Sequence, residues 1–359
     1  MAISVKEITY GAFGRCVEVS NGIVDLVVTV DAGPRIIRYG FTGRENMFAE
    51  APDQVNEETG WKILGGHRLW HSPENMPRTY ENDNKPVKWE ATEDGILVVQ
   101  EPEAFAMTQK EMEISMDTES SAVTVLHRIR NVGAWPAEFA VWALSVMAPG
   151  GKEVIPMSET DTGLLANRTI ALWPYSKMND HRIWWGSRYI TLQQDPATKP
   201  PFKLGITNEY GWAAYFNFDQ VFVKQHIHED GEKYPDGGMS FETYTTDFML
   251  EMETLSPLIK VEPGEELEHM ECWALVDGIE APANDDDAIE TLMDDIIGDC
   301  DCDDGCGCGC GCDECGDGCD CDDECGCDCD DECGCDCDDE CDCGHDHGHA
   351  EDCDCEKDK

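Results

Sequence analysis

Between Val87 and Thr246 the chain is a succession of short strand-like runs, and this pattern narrows the possible architectures more than any other feature. VKWEAT, ILVVQEP, MEISMDT, VTVLHRIRN, AEFAVWALSVM, TIALWPY, YITLQQ, KLGITN, GWAAYFNF, VFVKQHIH and FETYTT follow one another closely. Asn-Asp, Glu-Asp-Gly, Pro-Gly-Gly and Pro-Asp-Gly-Gly separate them, the residues that turns require. Two earlier runs, ITYGAFGRCVEV and IVDLVVTV, flank the turn signal Ser20-Asn21-Gly22. GPRIIRYGFTGRENMF adds a strand after a Gly-Pro break, and the polar stretch from Ala49 to Glu58 reads as loop. Only DDDAIETLMDDII (Asp285–Ile297), with acids at its start, has helical periodicity. The expectation is an all-β body, a large sandwich.

The last sixty or so residues obey different rules. Nineteen of the 21 cysteines lie between Cys300 and Cys355, leaving only Cys16 and Cys272 elsewhere. CDDECGCD occurs at Cys321–Asp328 and again at Cys329–Asp336, followed by CDDECDCG. Without aromatic or large aliphatic residues to offset a backbone ordering cost of roughly 1–2 kcal/mol per residue, this segment is expected to be disordered alone. The division is thus 1–280 for the body, 281–298 for a short acidic helix or linker, and 299–359 for a low-complexity tail.

Charge excludes several functions. From Asp299 onward 26 acids face two lysines, and the body carries 50 acids against 23 bases. Such a field repels nucleic acid and anionic membranes, and it disfavours phosphorylated substrates. No apolar run reaches the roughly 20 residues of a membrane span, and MAISVKEITY does not read as a signal peptide. A cytoplasmic protein with reduced thiols is expected.

The stretch DFMLEMETLSPLIKVEPGEELEHMECWALVD (Asp247–Asp277) reads as two strands joined by a Pro-Gly turn. Phe248, Leu250 and Met252 alternate with Met249, Glu251 and Glu253, the period of a sheet. Its acidic face either meets water or floors a site. On VFVKQHIH, the residues Phe222, Lys224, His226 and His228 share one face, with valines behind. They form either the wet face of a site or a solvated edge. In GWKILGGHRLWHS, His67, Arg68 and His71 lie beside Gly65-Gly66, while Trp61 or Trp70 could stack on a ligand's apolar face. Arg35, after Gly33-Pro34, is a further contact candidate; His127 and His181 read as structural.

Four segments resemble the galactose mutarotase-like (aldose 1-epimerase) superfamily. They are GPRIIRYGFTGRENMF, ILGGHRLWHSPE, NVGAWPAEFAVWAL (Asn131–Leu144) and MLEMETLSPLIKVEPGE, in the family's order and covering roughly residues 1–280. The resemblance implies an antiparallel β-supersandwich with a sugar site on its concave sheet. By the twelve-residue spacing to Pro263, it implies that Glu251 is the base that takes the anomeric hydroxyl proton. The family's histidine acid follows its Asn-x-Gly hairpin, where this chain has Trp142-Ala143-Leu144. His226 is then the replacement acid, with His67, Arg68, Trp70, Lys224, His228, Glu253 and Arg35 as substrate contacts. Anomer interconversion needs a base on the C1 hydroxyl and an acid on the ring oxygen, each tuned toward pH 7. The alternative is a non-catalytic sugar-binding domain.

The body is expected to need no cofactor, although His226-x-His228 could share a strand face toward a metal. The tail is different. Its ligand candidates are Cys306, Cys308, Cys310, Cys312, Cys315, Cys319, Cys321, Cys325, Cys327, Cys329, Cys333, Cys335, Cys337, Cys341, Cys343, His345, His347 and His349. The spacing resembles metallothioneins, and soft thiolates select Zn or Cu(I). An expanded soluble repeat explains the octads equally.

Overall fold

The computed structural model describes residues 2–298; the tail's expected disorder and all of its proposed metal ligands lie outside these residues. Apart from short 3-10 turns and one helix, the regular structure is antiparallel strand. The alternation read from the sequence is visible as burial: Thr108–Met116 alternates buried and half-buried residues without interruption.

Two sheets result. The larger has twelve strands, with Lys62–Ser72, Ala137–Met147, Leu250–Leu255, Phe241–Thr245 and Phe202–Ile206 adjacent in that order at its centre. The second has ten, with Trp212–Asn217, Gln220–His226, Glu266–Asp277, Val123–Asn131 and Thr108–Met116 in its middle. Leu69, Val141, Met252, Phe241 and Leu204 from the first meet Val125, Ile129, Phe222, Tyr215 and Trp273 from the second in one apolar core.

One local expectation differs from the structure, and the expected helix is met. Glu50–Val55, read as loop from its polarity, is a strand pairing with Lys62–Ser72. A polar edge strand needs only one buried contact row, so composition conceals it. The acidic segment expected as helix or linker is the helix Asp286–Gly298, and it is packed rather than linking. Its Ile289, Met293 and Ile296 cover Val154, Val221 and Val223 on the outer face of the second sheet. Asp285 receives the Ala288 N–H at its start, and the Asp286 carboxylate receives the backbone N–H groups of Ser187, Arg188 and Tyr189. No helix among the described residues is long and apolar enough to cross a membrane.

Candidate functional site

Glu251 and Glu253 stand on Leu250–Leu255, and strand register decides what surrounds them. Leu144 lies opposite Glu253 and Arg68 opposite Leu144; on the other side Glu242 pairs with Glu253 and Tyr244 with Glu251. Lys203 lies opposite Tyr244. Directly paired residues share a face, so five neighbouring strands bring these side chains to the surface turned away from the second sheet. Gly65 and Gly66 hold the approach to Arg68 in the left-handed region (φ +86° and +63°). A Cβ on either would meet a carbonyl oxygen, Ala49 O at 2.0 Å or Ile36 O at 2.1 Å, so the two neighbouring backbones admit only glycine.

The result is a cavity of about 260 Å³ lined by Trp61, Trp70, Trp142, Tyr80, Tyr175 and Tyr244 around Arg68, Lys203, Glu251 and Glu253. The acidic face of the strand is therefore a cavity floor, with Glu251 6 % and Glu253 1 % exposed. The Arg68 guanidinium pairs with Glu251 at 2.8 Å and lies 4.2 Å from the centroid of the Trp70 ring. Lys203 bridges Glu242 at 2.7 Å and Glu253 at 2.8 Å, between the rings of Trp142 and Trp173. The Trp142 indole N–H donates to Glu253 at 2.9 Å. Burial pushes the Glu253 and Glu242 carboxyls above their usual range, against the pull of Lys203. Burial alone would lower the Lys203 ammonium, but Glu253 and Glu242 together raise it.

Arg68, Trp70, Glu251 and Glu253, all expected at the site, meet here; five other expected residues do not. His67 precedes Arg68 by one residue and so points to the opposite face, between the sheets. Lys224 and His226 do share a face, but it is the interior of the sandwich, not a wet one; the valines behind them are covered by the helix. Arg35 is 1 % exposed and pairs with Asp83 at 2.6 Å, behind Trp61. His228 lies past the end of its strand and stacks on Tyr234, so His226 and His228 do not converge as a metal pair.

Between the sheets the misplaced groups form their own network. His67 Nε2 is 2.7 Å from His127 Nε2, His127 Nδ1 donates to the His269 carbonyl, and Lys224 pairs with Glu271 at 2.8 Å. Glu271 also accepts from the Trp273 indole and from Thr254. Ligand atoms of His67, His127 and Glu271 lie within 4.8 Å of one another. All three have hydrogen-bond or ion-pair partners within this network, which makes it a connected buried polar cluster. Burial pulls His67 far below the normal imidazole range and His127 and His269 down to about 3.

Sequence reasoning missed Lys203, Trp142, Glu242 and the three tyrosines. A signal existed for Lys203, a lone cation inside the apolar run PFKLGIT. For Trp142 the signal was the absent histidine: Trp142 and Leu144 line the cavity where the resemblance would look for it.

No family model matches the sequence, and no curated protein is similar to it. Solved structures are. An aldose 1-epimerase candidate from Klebsiella pneumoniae superimposes with a TM-score of 0.57 at 15 % identity, covering 82 % of this chain and 87 % of its own. A mutarotase candidate from Salmonella typhimurium gives 0.51 at 9 % identity, covering 77 % and 94 %. The fold is the galactose mutarotase-like β-supersandwich. At these identities the likeness concerns architecture, and the cavity's chemistry rests on its own residues.

Proposed function

We propose that this protein binds a monosaccharide in the cavity over Glu251 and Glu253. One observation carries the reading: buried polar atoms on cavity-lining residues have no hydrogen-bond partner among the described residues. They are Trp61 Nε1, Arg68 Nε and Nη1, and Glu253 Oε1. Buried polar groups left unpaired each cost about 1–3 kcal/mol, and these four atoms sit on residues lining one cavity, where a ligand's hydroxyls can pair with them. A sugar ring supplies hydroxyls that both donate and accept, and an apolar face for Trp61, Trp70 or Trp142. The cavity volume lies below the roughly 300–1,000 Å³ that suits drug-sized ligands, consistent with a single ring.

Anomer exchange is a second reading, favoured by one fact: Glu251, the residue the resemblance makes the base, is in the cavity. Glu251 would take the C1 hydroxyl proton while Arg68 holds its orientation. The acid is the weak part. No histidine among the described residues lines the cavity. Burial raises Tyr80 and Tyr175 and pushes Tyr244 up to about 12, so each phenol gives up its proton reluctantly. Sugar binding without efficient catalysis is therefore the conclusion. Saturation-transfer NMR with D-glucose, D-galactose and D-mannose, run beside polarimetry of freshly dissolved sugar, tests it. Binding with no accelerated mutarotation is expected; binding with acceleration would establish the second reading, and no binding would end both.

A further inference from the structure

The cavity holds two cationic side chains, Arg68 and Lys203, against four carboxylates: Glu74, Glu251 and Glu253 on its lining and Glu242 just behind. Each cation is already committed. Arg68 pairs with Glu251, and Lys203 carries two carboxylates at once, 2.7 and 2.8 Å away. We propose that Glu242 is a specificity-determining residue: by holding Lys203 from behind the cavity, it makes the site accept uncharged sugars and reject sugar phosphates and uronates. This rests on the sugar-binding reading above and goes further by naming the ligand class.

The reasoning follows from where Glu242 sits. It does not line the cavity, its side chain is 1 % exposed, and it neighbours Glu253 across the strand pair. A ligand therefore cannot touch it, yet it sets what Lys203 can offer. An ammonium has three donors and no acceptor. With Glu242 and Glu253 on one side and the rings of Trp142 and Trp173, each within 4.8 Å of Nζ, around it, little remains for a ligand anion. Held 2.7 Å from the Lys203 ammonium, an ionised Glu242 makes the trio with Glu253 net negative, whereas Lys203 and Glu253 alone would only cancel. The floor thus presents negative rather than positive charge to an entering anion. A phosphate or carboxylate entering here would lose its hydration without gaining an ion pair, which is how a buried site excludes an ion. Hydroxyl groups face no such cost, because they can donate to the carboxylates.

The test measures affinities by isothermal titration calorimetry on the full chain, for D-glucose, D-galactose and D-mannose and for the 6-phosphate and uronate of each. The wild-type protein should bind at least one uncharged sugar about tenfold or more tighter than its anionic forms. Glu242→Gln keeps the shape, removes the negative charge and leaves Lys203 with Glu253 as its one carboxylate partner, so the trio passes from net negative to neutral. The ratio of anionic to uncharged affinity should then rise about tenfold, the scale on which one unit charge a few ångströms away acts at protein-like dielectric. Wild-type protein that binds the phosphate or uronate as well as the parent sugar overturns the proposal. So does a Glu242→Gln protein that binds the parent sugar with an unchanged ratio, and in both cases sugar binding itself would stand. Failure of every sugar to bind overturns both. If Glu242→Gln does not fold, Glu242→Asp, which draws the carboxylate back from Lys203, is measured instead, and an unchanged ratio overturns the proposal equally.

Discussion

Arg68 is the residue whose removal tests the site's construction most directly. Its guanidinium and the Glu251 carboxylate are 2.8 Å apart with side chains 3 % and 8 % exposed, so neither is hydrated if the other is lost. Arg68→Met keeps most of the side-chain volume and leaves Glu251 as an uncompensated buried charge, which costs about 3–5 kcal/mol. The stacking of Arg68 on Trp70 at 4.2 Å, worth up to about 2 kcal/mol when desolvated, is lost within that figure. Against a total stability of about 5–15 kcal/mol, the variant should fold but unfold at much lower denaturant. Arg68→Met combined with Glu251→Met removes both charges, and a buried ion pair exchanged for apolar groups is often neutral or stabilising. The double variant should therefore recover most of the loss, giving a coupling energy of about 2–3 kcal/mol. Urea unfolding of the full chain at pH 7.5, followed by tryptophan fluorescence, measures all four corners of the cycle. A single-variant cost under about 1 kcal/mol, or a double variant no better than the sum of the singles, would refute the reasoning.

The remaining predictions concern the sandwich interior and the tail. Glu153 is fully buried, and burial pushes its carboxyl well above 4.5 against the opposing pull of the Thr243 hydroxyl. The folded state then keeps a proton that the unfolded state releases, so stability present below about pH 4.5 is lost as pH rises. Glu153→Gln removes that loss and should gain on wild type by up to about 1.4 kcal/mol per pH unit above that point, read as urea midpoints from pH 4.5 to 8; parallel curves would contradict it. Burial lowers His67, His71, His127, His226 and His269, so their contribution is present above pH 6.5 and lost as pH falls below it, for His127 and His269 down to about 3. His226, whose ring nitrogens have no hydrogen-bond partner among the described residues, can be changed to Met without breaking the network; the acid slope should flatten by about 1.4 kcal/mol per pH unit. An unaltered slope would show that His226 protonates without cost. For the tail, native mass spectrometry with and without chelator should show several bound Zn or Cu(I) ions lost on chelation, and an unchanged mass would exclude them.

Sequence alone determined that this chain is a β-sandwich, because alternation with a period of two and frequent turn residues admit few other solutions. It also singled out Glu251, Glu253, Arg68 and Trp70, since each is a charged or aromatic residue at a fixed offset within a strand. What it could not determine is which of two equivalent faces a strand turns to which partner. Lys224 and His226 show this: their spacing correctly put them on one face, but only the packing of two sheets made that face the core. His67 and Arg68, adjacent in sequence, ended on opposite sides of one sheet for the same reason. Lys203 and Glu242 joined the site through strand pairing with partners about forty and ten residues away, and Trp142 through pairing with strands on both sides. Strand register is a long-range choice, made by the burial of whole faces rather than by any local signal, and here it turned an acidic strand into the floor of an aromatic-lined cavity.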